Sequence, residues 1–215
     1  MIDIILPCLD EAGALPWVLD RIPSVARAIV VDNGSTDGSP AIARAHGALV
    51  VDAAQRGYGA ACHAGLMAAT ADLVAFCDCD ASLDPGAVVA MAASILAGIA
   101  EMVVGRRRPV NRSAWSTSAR FANWELARRI RRRTGFAISD LGPLRIARRQ
   151  DLLALDLQDR RSGYPLEMLV RAADEGWRVD QFDVDYHPRI GRSKVTGTLR
   201  GSLQAVRDMS AVLAT

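Results

Sequence analysis

The sequence predicts an α/β protein: a single domain built on a mostly parallel sheet with helices on both faces. Three observations predict it. Short apolar runs alternate with helix-length segments through short connections, the pattern of strand–helix units wound into a parallel sheet. Several of those runs end in an acid or a glycine-rich turn, which gathers polar chemistry on one sheet edge. The chain has 215 residues, half of them hydrophobic, and a net charge of +2. That length can close a large core, and the composition is neither that of a disordered chain nor that of a wholly basic nucleic-acid binder.

Residues 2–6 predict a first strand that ends at Pro7, followed by Cys8-Leu9-Asp10-Glu11 and a helix over about 15–22. A second strand, 28–31, runs into Asp32-Asn33-Gly34-Ser35-Thr36-Asp37-Gly38-Ser39, whose last polar residues can cap a helix over 40–46. A third strand, 48–51, ends at Asp52. Gln55-Arg56-Gly57-Tyr58-Gly59 then opens a helix to about residue 69. Gly-Tyr-Gly before a helix is a weak phosphate-loop signal, and Asp-Asn-Gly-Ser is equally a common turn.

The next strand, 73–76, leads into Asp78 and Asp80. Two acids spaced two apart point to the same side of an extended backbone. Hard divalent cations such as Mg²⁺ suit them, taking one or two carboxylates and leaving the other positions to water and phosphate oxygens. Taken alone, a solvated turn fits equally well. Cys77 and Cys79 are expected to pack on the opposite face as small hydrophobes, the alternative being a soft-metal pair. With Cys8 and Cys62 they make four cysteines and no disulfide framework.

The uncharged run 85–100 falls short of the roughly 20 residues of a membrane span. It predicts a buried helix with Asp84 as N-cap and Pro85 at its first position. No signal peptide is evident at the start, so a cytoplasmic protein is expected. In the second half a strand over 101–104 ends at Gly105-Arg106. A long helix over 113–133 follows, with Trp115, Phe121, Ala122, Leu126 and Ile130 apolar and Gly135 as its stop. Then come Asp140-Leu141-Gly142-Pro143-Leu144-Arg145, a helix starting near Gly163-Tyr164-Pro165-Leu166-Glu167, and a strand over 177–184. His187 is expected to be structural.

Four motifs, in order and spacing, carry a resemblance: Leu6-Pro7-Cys8-Leu9-Asp10-Glu11, Asp32 to Gly38, Arg56-Gly57-Tyr58-Gly59 and Asp78-Cys79-Asp80. The set resembles the N-terminal half of a family-2 glycosyltransferase with a GT-A (Rossmann-like) fold. Such enzymes are inverting and use a nucleotide-activated sugar and a divalent metal. The resemblance implies that Asp32 reads the base and that Pro7 and Glu11 line the nucleoside site. Gly34, Ser35, Arg56 and Gly57 complete the donor site, and Asp80, helped by Asp78, holds Mg²⁺ or Mn²⁺ on the diphosphate. Asn33 stands where a second aspartate is commoner, and neither it nor Cys79 removes a metal ligand.

The Gly105-Arg106 pair, Arg120 with Asn123, and Arg189-Ile190-Gly191-Arg192-Ser193-Lys194 resemble the dolichyl- or polyprenyl-phosphate hexosyltransferases, the dolichol-phosphate mannose synthase group. In that group the matching basic residues hold the acceptor phosphate and the donor diphosphate. This implies an acceptor site of Arg106, Arg120, Asn123, Arg192, Ser193 and Lys194, and a polyprenyl-phosphate acceptor. The Leu-Gly-Pro-Leu-Arg stretch after Asp140 departs from the group's usual sequence. The domain, residues 1–215, then divides into a nucleotide-sugar-binding half, 1–105, and an acceptor half, 106–215.

Two further carboxylates, Asp140 and Glu167, sit beside glycine-bearing turns and are candidates for a general base, or for structural pairing with nearby arginines. A hydroxyl acceptor, soluble or in the cell envelope, is the alternative within the same chemistry. The basic residues are 25 Arg and a single lysine, Lys194, and 13 of the arginines fall between Gly105 and Arg149. Lys194 fits a site that wants a compact point charge. The run from Arg128 to Arg133 fits a solvated helix end, an RNA-contacting face, or an anionic membrane surface beside Trp115, Phe121 and Trp124. The RNA alternative makes the chain a non-catalytic binding module and leaves the acidic strand edge unexplained, so no nucleic-acid partner is expected. The membrane alternative gives a peripheral protein at the inner face of the membrane. No Gly-x-Gly-x-x-Gly follows the first strand, which argues against a dinucleotide oxidoreductase.

Overall fold

The computed structural model describes residues 1–111, 113–191 and 207–213. The sheet has seven strands in the order β3-β2-β1-β4-β6-β5-β7. They are β1 (Ile2–Cys8), β2 (Ala26–Asp32), β3 (Leu49–Asp52), β4 (Leu73–Phe76), β5 (Met102–Pro109), β6 (Arg145–Arg148) and β7 (Val179–Tyr186). β6 alone runs antiparallel, between β4 and β5. The helices are α1 (Leu15–Leu19), α2 (Ser39–Ala45), α3 (Tyr58–Ala68), α4 (Val88–Leu96), α5 (Thr117–Thr134), α6 (Arg149–Ala154) and α7 (Tyr164–Asp174). Residues 207–213 are also helical.

Side-chain alternation divides the core into two layers. Ile4, Leu6, Val30, Ala75 and Cys77 pack on one face with α1 and α4, and Ile5, Ile29, Val31, Val74 and Phe76 on the other with α3 and α7. Every residue of β4 is buried, as expected of a strand covered on both sides. Asp3 is the one charge in that region of β1. Arg27 binds it through Nε and Nη2 at 2.9 Å each, and the N–H groups of Thr70 and Ala71 donate to it at 2.7 and 3.0 Å. The carboxylate thereby ties β1 to β2 and to the turn before β4.

Three elements differ from the sequence expectation. β6 was unforeseen, because Arg-Ile-Ala-Arg carries two charges in four residues, yet its first three residues are buried. β5 runs on through Arg106 to Pro109, because β7 supplies a parallel partner as far as Tyr186. α5 starts at Thr117, capped by the Ser116 hydroxyl, and turns its Ala127 and Ile130 side inward. Phe121 and Trp124, 69% and 53% exposed, lie outside the core. The Asp84 cap is present, its carboxylate accepting from Gly86 N–H at 2.7 Å, though the first turn is 3₁₀ before α4 begins. All four cysteines are buried as free thiols. Among the described residues no helix is long and apolar enough to cross a membrane.

Candidate active site

β1 lies between β2 and β4, so the chain crosses from one side of the sheet to the other there, and the C-terminal edge opens a crevice. Its floor is two interlaced loops. The Asp32 carboxylate accepts from Gly34 N–H at 3.2 Å and Ser35 N–H at 3.1 Å. Ser35 Oγ in turn accepts from Asp10 N–H, and Ser39 Oγ from Glu11 N–H, at 2.9 Å each. Asp10 Oδ1 takes Thr36 N–H at 2.7 Å. The expected nucleoside residues Glu11, Asp32, Gly34 and Ser35 therefore belong to one braced unit, and Pro7 lies beside it near the end of β1. Arg56 joins it, with its guanidinium over Gly34, where an added Cβ would meet Nη2 at 3.0 Å.

Asn33 is 8% exposed. Its Nδ2 donates to the Gln55 carbonyl at 2.9 Å and its Oδ1 accepts from Gly57 N–H at 2.8 Å. A carboxylate there could not donate, which gives Asn its structural reason. The N–H groups of Gly59 and Ala60 go to the carbonyls of Arg161 and Arg160, at 2.9 and 2.8 Å. The N–H groups of Gly57, Gly59 and Ala60 thus go to protein partners. Its glycines allow close backbone approach: a Cβ on Gly57 would lie 2.2 Å from the Arg160 carbonyl oxygen, and one on Gly59 2.8 Å from Tyr164 Cβ.

The acids stand just beyond β4. Cys77 and Cys79 turn into the core layer under α4, and the Cys79 thiol donates to the Pro7 carbonyl at 2.9 Å. Asp78 Oδ1 accepts from Tyr58 Oη at 3.1 Å. Burial, then the neighbouring Asp80 charge, push Asp78 up to about 6 against the pull of Arg189, Tyr58 and Arg107. Asp80, 5% exposed, accepts from Ser82 N–H at 3.0 Å and pairs with Arg189. Among the described residues the buried Ser82 Oγ has no hydrogen-bond partner. Two carboxylates and an orphaned hydroxyl are hard oxygen donors, so the residues present fit Mg²⁺ or Mn²⁺.

Beside Asp78 opens a cavity of about 170 Å³ lined by Tyr58, Arg107, Gly142, Arg145, Ser162 and Met209 among others. Arg107 is its organised cation. Asp140 accepts from Arg107 N–H, Nε and Nη2 at 2.8, 2.9 and 2.7 Å, and Asn123 Oδ1 accepts from Nη2 at 3.1 Å. Trp115 stacks against the same guanidinium, 4.1 Å from ring centroid to Cζ. Burial works against its charge, but the Asp140 bonds outweigh this and hold Arg107 above the ordinary guanidinium value. Arg145 is 2% exposed and donates to the carbonyls of Pro165, Leu141 and Gly142 at 2.6, 2.8 and 2.6 Å. Those acceptors are neutral, so among the described residues the pocket keeps a buried positive charge without a bonded carboxylate.

Of the expected acceptor residues, Arg106 projects from the other face of β5 and pairs with Asp183 at 2.5 Å, as does Arg108 at 2.8 Å. The cation facing the cavity is its neighbour Arg107, one residue along an alternating strand. Asn123 holds Arg107, whereas Arg120 lies exposed on α5, outside the cavity lining. Arg192, Ser193 and Lys194 lie outside the described residues. The two candidate bases are both occupied. Besides Arg107, Asp140 accepts from Gly142 N–H at 3.1 Å. Glu167 takes Gln158 N–H, Asp159 N–H and Arg171 Nε at 2.9, 2.7 and 2.9 Å, and is not among the cavity's lining residues. Arg107, Arg145 and Ser162 were not singled out as site residues from the sequence, and Tyr58 and Arg189 were named only within their motifs, without a role of their own. Strand parity could have found Arg107; the others depend on distant contacts.

The family model for glycosyl transferase family 2 matches residues 3–153. The chain belongs to that family. An uncharacterized glycosyltransferase of Mycobacterium tuberculosis is 48% identical over 213 residues, covering 99% of this chain and 97% of its own. A dolichyl-phosphate hexose transferase of Haloferax volcanii is 27% identical over 195 residues, 89% of this family-2 chain and 85% of its own. A crystal structure of glucosyl-3-phosphoglycerate synthase from M. tuberculosis with Mn²⁺, UDP and phosphoglyceric acid has a TM-score of 0.76 at 25% identity, covering 99% and 77% of the two chains. Another, with Mn²⁺, UDP and glucosyl-3-phosphoglycerate, has a TM-score of 0.77 at 23% identity, covering 100% and 80%. This glycosyltransferase therefore has the GT-A fold, as its sequence motifs implied.

Proposed function

We propose that the protein transfers a hexose, with inversion, from a UDP- or GDP-sugar to the phosphate oxygen of a polyprenyl phosphate. The observation that carries the acceptor class is the cavity beside Asp78. It holds two guanidinium groups, Arg107 and Arg145, and among its lining residues the carboxylate is Asp78 alone. A phosphate monoester has a second pKa of about 6, so at neutral pH its oxygen attacks without surrendering a proton. It needs cations and no base. A hydroxyl acceptor needs a carboxylate within reach, and Asp140 and Glu167 are already bound to protein donors.

In this reading the half up to residue 105 holds the donor, with the Asp32 loop on the base and the ribose and diphosphate lying toward Asp78 and Asp80. Those two acids would hold Mg²⁺ or Mn²⁺, which supplies charge stabilisation at the leaving diphosphate. Residues from 106 onward hold the acceptor. The acceptor oxygen attacks the sugar C1 from the face opposite the diphosphate, the C1–O bond breaks, and its electron pair stays on the β-phosphate oxygen. Arg107, locked by Asp140, Asn123 and Trp115, contributes fixed positive charge at no reorganisation cost. Arg145 contributes the same from inside the protein. Phe121 and Trp124, with ring centroids 5.7 Å apart, would rest on an anionic membrane surface beside Arg120.

A soluble phosphorylated acceptor is the second reading, favoured by the likeness to the phosphoglycerate complex. In that reading Arg107 and Arg145 of this chain would hold the phosphate, a hydroxyl would attack, and Asp78 is the carboxylate at hand. Melting curves with UDP, GDP and their sugars in Mn²⁺ test the donor site, since a ligand at 100 times its Kd adds about 2.7 kcal/mol. Stabilisation that needs metal and disappears in Asp80→Asn is expected. Equal stabilisation in EDTA would overturn the metal assignment.

A further inference from the structure

The segment after β7 is laid along the loop that carries the acids. Leu83 bridges Tyr186, His187 N–H donates to the Ser82 carbonyl, and Ile190 N–H donates to the Asp80 carbonyl, the two bonds at 2.9 Å each. These backbone ties on either side of it hold Arg189 in place, and its Nη2 rests on Asp80 Oδ2. The other carboxylate oxygen accepts Ser82 N–H at 3.0 Å. Two adjacent buried acids need positive charge nearby, and Arg189 supplies it.

Six charged side chains at the site balance among themselves as they stand. Asp78, Asp80 and Asp140 face Arg189, Arg107 and Arg145. A divalent cation entering alone disturbs this balance and meets a guanidinium already on one of its ligands. Entering with a nucleoside diphosphate, it brings the negative charge that restores the balance.

We propose that Arg189 is a built-in counter-ion competing with the divalent metal for Asp80, so that metal binds tightly only together with the nucleoside diphosphate. This rests on the reading of Asp78 and Asp80 as the metal ligands. Metal binding and donor binding are then one coupled event, and the coupling is reciprocal.

Calorimetric titration of MnCl₂ into the wild type and Arg189→Gln, each with and without UDP or GDP, tests it. Without nucleotide, Arg189→Gln binds Mn²⁺ at least tenfold more tightly than the wild type, while Arg189→Lys, which keeps the charge, stays near the wild type. Nucleotide strengthens Mn²⁺ binding at least tenfold in the wild type and by less in Arg189→Gln. Metal-free melting curves serve as the folding check, with Arg189→Gln melting lower and recovering in Mn²⁺. Equal Mn²⁺ affinities in folded wild type and Arg189→Gln overturn the proposal while leaving the donor site intact. If Arg189→Gln does not fold, Mn²⁺ and nucleotide binding independently to the wild type overturns it. Absence of Mn²⁺ binding even with nucleotide removes the metal assignment and this inference together.

Discussion

Asp140→Asn separates a general base from a residue that positions Arg107. The pair is enclosed, with side chains 16% and 2% exposed for Arg107 and Asp140, and Asp140 takes three hydrogen bonds from Arg107. Breaking a buried ion pair by removing one charge costs about 3–5 kcal/mol. Asparagine keeps one acceptor oxygen, and Arg107 keeps Asn123 and the Trp115 ring, so the lower end applies, about 3 kcal/mol. For a domain of this size each kcal/mol shifts Tm by about 2–4 °C, giving a fall of about 6–12 °C. Arg107 loses its fixed geometry, so the apparent KM for the acceptor rises about tenfold or more, with kcat changed by less. Thermal melting and steady-state kinetics with varied acceptor read both quantities. An unchanged Tm with kcat down by about 10²–10⁴ at constant acceptor KM refutes this reasoning and makes Asp140 the base.

Two further expectations follow from other parts of the fold. Burial raises the Asp3 carboxyl, but Arg27 and the Ala71 and Thr70 N–H groups outweigh it and leave its folded pKa below the ordinary value; this contribution is full above about pH 4 and is lost as pH falls through the folded pKa. Asp3→Ala therefore loses about 3 kcal/mol at pH 7, and urea titrations from pH 7 to 3.5 show the gap to wild type narrowing from pH 4 downward. A gap that does not change with pH contradicts the linkage. Phe121→Ser with Trp124→Ser removes exposed rings, so co-sedimentation with anionic vesicles at low salt falls while Tm falls by no more than about 4 °C. Unchanged sedimentation speaks against this face as the membrane contact.

What the sequence revealed was local, and what it concealed was set by distant partners. Strand alternation, the Asp84 cap and the acids after β4 are properties of neighbouring residues, and all stand in the structure where the pattern placed them. Arg106 stood in for Arg107 because the expected strand stopped at residue 104, whereas pairing with β7 some 77 residues away carries β5 on through both arginines. β6 escaped because Arg145 is charged in sequence yet is buried by carbonyls from residues 141, 142 and 165. Gly57-Tyr58-Gly59 resembled an anion loop because nothing local shows that Arg161 and Arg160 accept the Gly59 and Ala60 N–H groups. Phe121 fell on the expected apolar stripe of α5, but the packed side is that of Ala127 and Ile130.

The central claim is that an already ionised phosphate oxygen is the nucleophile. Its most direct test supplies UDP- and GDP-sugars with Mn²⁺ to a polyprenyl phosphate, the matching polyprenol and 3-phosphoglycerate, with products read by mass spectrometry. The account predicts a sugar–phosphate–prenol product that forms with one donor, none from the alcohol, and a rate that rises through about pH 6 and levels off about one unit above it, where the phosphate completes its ionisation. Glycosylation of a hydroxyl, with the polyprenyl phosphate left untouched, would contradict it.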